Sequence, residues 1–506
     1  MKPSTRLGII GFAGIAAGLA VSIFCILFGP LNQDEGWYLY AARLFSEGRY
    51  PYRDFFFTQG PVMPAVYGLL APLWSPFGVL GGRTFTALLG FLTAFCAAGL
   101  AARLVQPAKS RFAYFGVLTL LTVNLYHGYF TAIPKTYALA ALLFTLAFLC
   151  LSHTRSSSVW AAVSGFLFAA AAGTRLSLGL ALPITGLYLL ITYRKNGKAW
   201  LAFAIGGGLG LALLLVSVLA LDLESFRFSQ VFHQNRGNGG VVFVLGSLAR
   251  LMRGYLPVMI LLVYIFCRYG LRILRTRSIL LPLIVLAGIF LLQLLAPFPY
   301  DDYQVPLMPL AIVCAVAVWT EYVGDAEIQA PRLLTVLLIS LLCLGISPML
   351  QEWTVLRQDR FWVQLKQKSD LQLLRETARK VKSLSGESKE LFTSDLYLAV
   401  ETGQRVPPGM EMGPFCYFPD LSDTEAARYH VLNRTALSNL VRNTSAKVRA
   451  ISGYTFALKA PEMTRLPEVE RDGILAELTA GYNLQAAVPD FGQQHTCLQL
   501  YLPKKD

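Results

Sequence analysis

Charge is scarce in this chain. Asp, Glu, Lys and Arg make up 15% of its 506 residues, against roughly 25% in soluble globular proteins. With 55% hydrophobic residues and a mean hydropathy of +0.51, that shortage excludes an ordinary soluble enzyme and points to a polytopic membrane protein. Cysteine is scarce too. Six of the eight (Cys25, Cys96, Cys150, Cys267, Cys314 and Cys343) lie in apolar runs, where the thiol behaves as a small hydrophobe. No Cys-x-x-Cys pair and no Cys/His cluster signals a metal site, so we expect neither a metal nor a cofactor. No Gly-rich phosphate loop is present, which argues against a nucleotide-driven pump. Acids are scarcer than bases, 30 against 44, but the imbalance does not suit nucleic-acid binding. Up to residue 350 there are 24 Lys+Arg and 11 Asp+Glu, and beyond it 20 and 19. The excess sits between apolar spans and reads as a topology signal.

Long apolar runs are what the chain has in plenty. A bilayer core takes about 20 apolar residues per helix. Candidate spans are 8–28, 81–104, 112–130, 134–152, 159–174, 176–193, 199–220, 255–270, 279–297, 303–322 and 332–350, about eleven. The first, from Leu7 to Phe28, is too long for a signal-peptide core and lacks a small-x-small exit, so it is expected to stay as an anchor. The stretch 62–80 is apolar, but Pro61, Pro64, Pro72 and Pro76 interrupt it, which suits helices lying in the membrane interface. The fold expected over residues 1–350 is an all-α polytopic membrane domain with interfacial helices in its first outside loop.

Basic residues set the orientation. With Lys2 and Arg6 inside, the inside loops hold Arg103, Lys109 and Arg111; Arg155; Arg194, Lys195 and Lys198; then Arg268, Arg272, Arg275 and Arg277. The outside then carries most of the acids, and an odd span count puts the tail outside. After Leu350 the composition turns ordinary. Residues 351–384 read as an amphipathic helix with Leu365, Leu371, Leu374, Ala378 and Val381 on one face. Strands are expected at 390–394, 447–451, 484–488 and 497–502, and helices at 424–441 and 468–479. Residues 351–506 are therefore expected to be a small extracytoplasmic α/β domain. Its two cysteines, Cys416 and Cys497, are a candidate disulfide in an oxidising compartment. Asn433 and Asn443 head short glycosylation-type sequons.

The chemistry is concentrated just beyond the first span. Asp34 and Glu35 sit a few residues past the hydrocarbon edge, where charge is costly unless it has work or a partner. Asp34 could cap a helix running from Glu35 to Glu47, and capping is compatible with acting as a general base; Glu35 is the helper. Group transfer from a lipid-linked phosphate needs one such acid and cations where negative charge develops on the leaving phosphate. Cations on the outside run against the positive-inside bias, which singles out Lys135 and Arg175. Arg53 either pairs locally with Asp54, while Phe55–Phe57 lie among headgroups, or faces phosphate. Arg83 is either a snorkelling flank or a phosphate ligand. Tyr52, Asp54, His127, Asp301, Asp302 and Tyr303 are candidate substrate contacts. The alternative for His127 is a satisfied interfacial side chain, and for Asp301–Asp302 a cap on the tenth span. His233 and Arg236, in a Gly-rich loop, are candidates for an acceptor lid.

Asp34-Glu35, the run from Tyr40 to Asp54, Gln59-Gly60-Pro61, Tyr67, Arg83 and Tyr303-Gln304-Val305-Pro306 resemble one family. It is the polytopic lipid-linked-sugar glycosyltransferases of the GT-C type, in the bacterial branch with protein-mannosyltransferase-like, aminoarabinose-transferase-like and Rgt-type enzymes. The resemblance covers roughly the first 350 residues. It implies a polyprenyl-phosphate sugar donor, an envelope lipid, glycan or protein as acceptor, an outward-facing site in the bacterial inner membrane, inversion at the sugar, and Asp34 as base. Many relatives carry a further acid in the second outside loop, where this chain has His127 and Lys135. Two other classes fit the composition, a transporter or flippase of lipid-linked intermediates and a non-catalytic envelope scaffold. A transporter predicts charge inside the spans, and here the acids lie at span edges.

Overall fold

The computed structural model describes residues 2–192, 197–232, 239–270, 276–322, 326–360 and 362–504. His233 and Arg236, with the basic residues Arg194, Lys195, Arg272 and Arg275, fall outside the described residues. The chain is mostly helical. Its elements are, in order, α1 (Pro3–Phe28), α2 (Gln33–Ser46), α3 (Val62–Leu69), α4 (Ala71–Trp74), α5 (Gly78–Leu104), α6 (Ser110–Thr122), α7 (Leu125–Ala132), α8 (Thr136–Ser152), α9 (Val159–Thr174), α10 (Ala181–Thr192), α11 (Gly197–Leu221), α12 (Leu223–Phe232), α13 (Gly240–Gly254), α14 (Leu256–Tyr269), α15 (Leu280–Leu294), α16 (Met308–Tyr322), α17 (Ala326–Gly345) and α18 (Pro348–Thr354). The rest comprises β1 (Val355–Asp359), β2 (Trp362–Leu365), α19 (Asp370–Ser385), β3 (Leu391–Thr393), α20 (Leu396–Thr402), α21 (Asp423–Arg428), α22 (Arg434–Asn443), β4 (Val448–Ile451), β5 (Leu458–Lys459), β6 (Thr464–Arg465), α23 (Glu468–Thr479), β7 (Tyr482–Phe491) and β8 (Thr496–Pro503).

Two compact units emerge, and they do not divide the chain at a single point. The first takes Met1–Ile26, Thr86–Leu215 and Gly239–Leu365; the second takes Leu27–Phe85, Val216–Asn238 and Lys366–Asp506. The first outside loop thus folds in one unit with the C-terminal tail.

The first unit is the helical bundle. Its core threads Phe112, Val117, Leu121, Phe144, Phe168, Val285, Ile289 and Val313, all buried. Small residues let helices approach closely: a methyl group added at Gly206 of α11 would come within 1.9 Å of the Ala162 carbonyl of α9, the close packing apolar bundles rely on. Among the described residues, five helices are long and apolar enough to cross a membrane, seven if each of two bent pairs is one span, and three more are apolar but shorter. The expected count of eleven is not reproduced, because several runs break. The run 112–130 splits at Val123, where Asn124 caps α7 by accepting from the His127 amide. Ile133 precedes Pro134 and is extended, as a residue before proline tends to be, so α7 and α8 meet at 103°. The run 332–350 ends early, and α18 follows as a separate turn.

In the second unit, residues 62–77 form the expected short helices, α3 and α4. The tail is α/β, with a four-stranded sheet in the order β3-β4-β8-β7; β3 and β4 are parallel, and the other pairs antiparallel. The single helix expected over 351–384 is corrected. Val355–Leu365 pair as a hairpin, and the helix proper begins only at the Ser369–Gln372 capping box. Leu371, Leu374, Ala378 and Val381 are its buried face, while Leu365 is exposed on β2. The helix expected over 424–441 is broken between α21 and α22, where His430 takes φ +56°. No disulfide joins Cys416 and Cys497: both thiols are free, Cys416 buried and Cys497 exposed on β8.

Candidate functional site

The residues singled out in the sequence gather in two clusters, one in each unit. The first is built on α2. Asn32, not Asp34, is the N-cap: its side chain accepts from the Asp34 amide at 3.0 Å, and Glu35 Oε1 accepts from the Asn32 amide at 2.9 Å. A capping box of this kind satisfies two of the backbone donors a helix start leaves open. Consecutive helix residues point about 100° apart, so the two acids divide. Glu35 turns inward and is wholly buried. Arg83 meets it with two donors, Nε to Oε2 at 2.8 Å and Nη2 to Oε1 at 2.7 Å, and also donates to the Gly29 and Pro30 carbonyls. Arg83 is therefore a buried structural partner, with its fork directed at Glu35 and the backbone. Asp34 stays half-exposed, its Oδ1 accepting from Trp37 Nε1 at 3.2 Å.

The rest of the loop holds α2 in place. Arg53 and Asp54 form the local ion pair at 2.9 Å, both partly exposed. Burial pushes the Asp54 carboxyl up, but the Arg53 hydrogen bonds and the Tyr50 amide hold it below its ordinary value. Phe55–Phe57 do not lie among headgroups: all three are buried; Phe57 packs against Tyr52 and Phe55, and Phe56 against Phe228 and Phe418. Tyr52 is buried and donates to the Gln59 carbonyl. The run from Tyr40 to Asp54 is also tied to the tail. Arg43 donates to the Ala399 and Gln404 carbonyls, the Tyr40 hydroxyl accepts from the Val406 amide, and Arg49 pairs with Glu411 at 3.1 Å. Those roles were not legible in the sequence, because each partner lies more than 350 residues away.

The second cluster lies in the bundle, at the α7–α8 bend and the start of the 301–307 turn. Lys135 donates to Asp302 Oδ2 at 2.9 Å and lies over the Tyr137 ring at 5.1 Å. The Arg175 guanidinium, at the end of α9, is sandwiched over Tyr137 and Tyr303, at 4.8 and 5.1 Å, and donates to Thr136 Oγ1. Asp301 accepts from the Tyr126 hydroxyl at 2.6 Å and from Arg250 Nε at 2.9 Å. His127 is buried, and its Nδ1 lies 2.9 Å from the Tyr255 hydroxyl. Lys135, Arg175, Asp301, Asp302 and Tyr303 thus converge. Sequence reasoning missed Arg250 and Tyr126. Arg250 carries the same signal that singled out Lys135, a cation on the expected outside face. Among the described residues, no group of three His, Cys, Asp or Glu could hold a metal. A cavity of about 510 Å³ opens in the second unit between Arg49, Glu411, His430 and Leu440; Asp34 does not line it.

The fold matches that of solved structures of ArnT, an aminoarabinose transferase. In particular, the chain is similar to the crystal structure of ArnT from Cupriavidus metallidurans in the apo state, with 14% identity over 97% of both chains and a TM-score of 0.65. It is similar also to the same protein bound to undecaprenyl phosphate, with 13% identity over 97% of both chains and a TM-score of 0.62. The apo oligosaccharyltransferase of Archaeoglobus fulgidus matches at 10% identity over 88% of this chain and 69% of that one, with a TM-score of 0.49. No family model and no curated protein matches the sequence. With its apolar helices, the fold makes this an integral, multi-pass membrane protein.

Proposed function

We propose that the chain is a glycosyltransferase. It moves a sugar from a polyprenyl-phosphate donor to a hydroxyl on an envelope acceptor at the outer face of the membrane, with inversion. The observation that carries this reading is the division of labour on α2, where Glu35 is consumed by Arg83 and Asp34 is left half-exposed. The likeness to an ArnT structure holding undecaprenyl phosphate supports a lipid-linked donor.

In this reading Asp34 takes the proton of the acceptor hydroxyl as its oxygen attacks the anomeric carbon. The bond from that carbon to the lipid phosphate oxygen breaks, and its electron pair leaves with the phosphate. The leaving phosphate needs positive charge; within the bundle, Lys135 paired with Asp302, Arg250 paired with Asp301 and Arg175 over the Tyr137 and Tyr303 rings form a cationic cluster suited to a phosphate. Glu35, Arg83, Tyr52 and the Arg53–Asp54 pair keep the loop folded.

The test is transfer from undecaprenyl-phosphate-linked sugars by the purified chain in proteoliposomes. Asp34→Asn should lower turnover by about 10²- to 10⁴-fold, the range for loss of a general base, with normal membrane insertion. Full activity in that variant sinks the assignment.

A further inference from the structure

The helix that carries Asp34 is docked on a particular edge of the tail sheet, the carboxyl ends of the parallel strands β3 and β4. Open α/β sheets bind ligands at such strand ends. The Gln33 amide donates to Gln493 Oε1 at 2.7 Å, and Gln33 Nε2 donates to Asp395 Oδ1 at 2.8 Å. Asp34 is the next residue, so it opens beside the same edge. We propose that this edge is a sugar-binding wall, on which Tyr454, Gln493 and Gln494 contact hydroxyls of the sugar reacting at Asp34. The proposal rests on the reading of Asp34 as base.

Three observations support it. The first is rigidity. Arg471 grips the loop after β4, donating to the Gly453 and Thr455 carbonyls at 3.0 and 3.2 Å. The Gly453 amide donates to Thr496 Oγ1 at 3.0 Å, which locks that loop to the β7–β8 turn carrying Gln493 and Gln494. The second is chemical type. Tyr454 is half-exposed, and Gln493 and Gln494 are exposed. Each glutamine amide both donates and accepts, as does a phenol, and a tyrosine ring adds an apolar face. That neutral set suits hydroxyls and brings no positive charge to a phosphate. Asp34 is near enough for its charge to act on Tyr454: burial first, then the charges of Asp395 and Asp34, push the phenol up to about 12 against a bond from Gln494. Tyr454 thus stays a neutral donor. The third lies behind the rim. Ser394 Oγ is buried with no hydrogen-bond partner among the described residues, a condition that calls for an explanation.

The sugar could be the donor's or the acceptor's, and the experiment separates them. Wild type, Gln494→Ala, Tyr454→Phe, Tyr454→Ala and the control His495→Ala, in the same turn, are compared in detergent and in proteoliposomes. The probes are undecaprenyl phosphate and its hexose-, pentose- and aminosugar-linked forms. A tenfold or greater loss of affinity for a sugar-linked lipid, with undecaprenyl phosphate binding unchanged, supports the wall and assigns it to the donor. Unchanged donor binding with a tenfold rise in KM for a glycan acceptor, lipopolysaccharide as probe, supports it and assigns the acceptor. Variants that match His495→Ala in both measures overturn the wall alone. A wild type that binds every sugar-linked lipid no better than undecaprenyl phosphate overturns both the wall and the transferase reading.

Discussion

Arg83 and Glu35 are wholly buried and meet at 2.7 Å. Such a pair is revealing because its net worth and the cost of breaking it differ. Removing one partner strands a charge in a low-dielectric place, at about 3–5 kcal/mol, whereas replacing both by apolar groups is often close to neutral. Arg83→Met should therefore lower stability by about 3–5 kcal/mol, read as a fall in the thermal midpoint of the purified chain. The double variant Glu35→Leu/Arg83→Met should recover much of that loss. Recovery should be incomplete, because Glu35 Oε1 also receives the Asn32 amide. An Arg83→Met protein as stable as wild type would show that the pair does not hold the loop. The sequence shows why residues 34, 35 and 83 matter, since charge beside an apolar run has to be explained. It does not show which acid turns inward, because that depends on the helix start. Asn32 sets that start, two residues earlier than a cap at Asp34 would.

At the scale of elements, α2 is fixed from two sides, by its own capping box and by the tail. The contact with α20 is backbone to side chain-free backbone. A Cβ built at Gly36 would lie 2.5 Å from the Tyr397 amide nitrogen and 3.1 Å from the Leu396 carbonyl carbon, and backbone there cannot step aside cheaply. Gly36→Ala should thus cost about 1–3 kcal/mol through overpacking, although alanine is the better helix former by about 1 kcal/mol. Because α2 carries Asp34, the same variant should reduce sugar transfer more than its folded fraction explains, measured as turnover per folded molecule at a temperature well below its midpoint. Turnover that simply tracks the folded fraction would detach the tail from the chemistry. Elements with a local signature were legible in advance. The buried face of α19 follows from its 3.6-residue repeat, and 468–479 is helical as its pattern implies. What was not legible depends on partners far along the chain. The loop 27–85 folds with residues 366–506, and no periodicity announces that. Nor does composition separate a straight span from a bent pair; the α7–α8 bend needed Asn124 and Pro134 to act together.

For the molecule as a whole, two sets of cations in the bundle contrast. Arg103, Lys109, Arg111, Arg155, Lys198 and Arg268 occupy the short loops assigned to the cytoplasm. There, Arg103 bonds to Ser152 and Lys109 to the Glu321 carbonyl, exposed contacts at helix ends. Lys135, Arg175 and Arg250 occupy the opposite loops, and each is engaged by an acid, an aromatic face or both. Basic residues bias a loop to the cytoplasmic side, so cations on the far side are tolerated best where a counter-charge or ring accompanies them. The excess of basic residues in the first set of loops supports the proposed direction, with the tail outside. A periplasm-dependent phosphatase fused after Asp506 should be active, and the same reporter inserted at Lys109 should be silent. The reverse pattern would put Asp34 and the tail on the cytoplasmic side, where nucleotide-linked sugars are at hand, and would remove the reason for a lipid-linked donor.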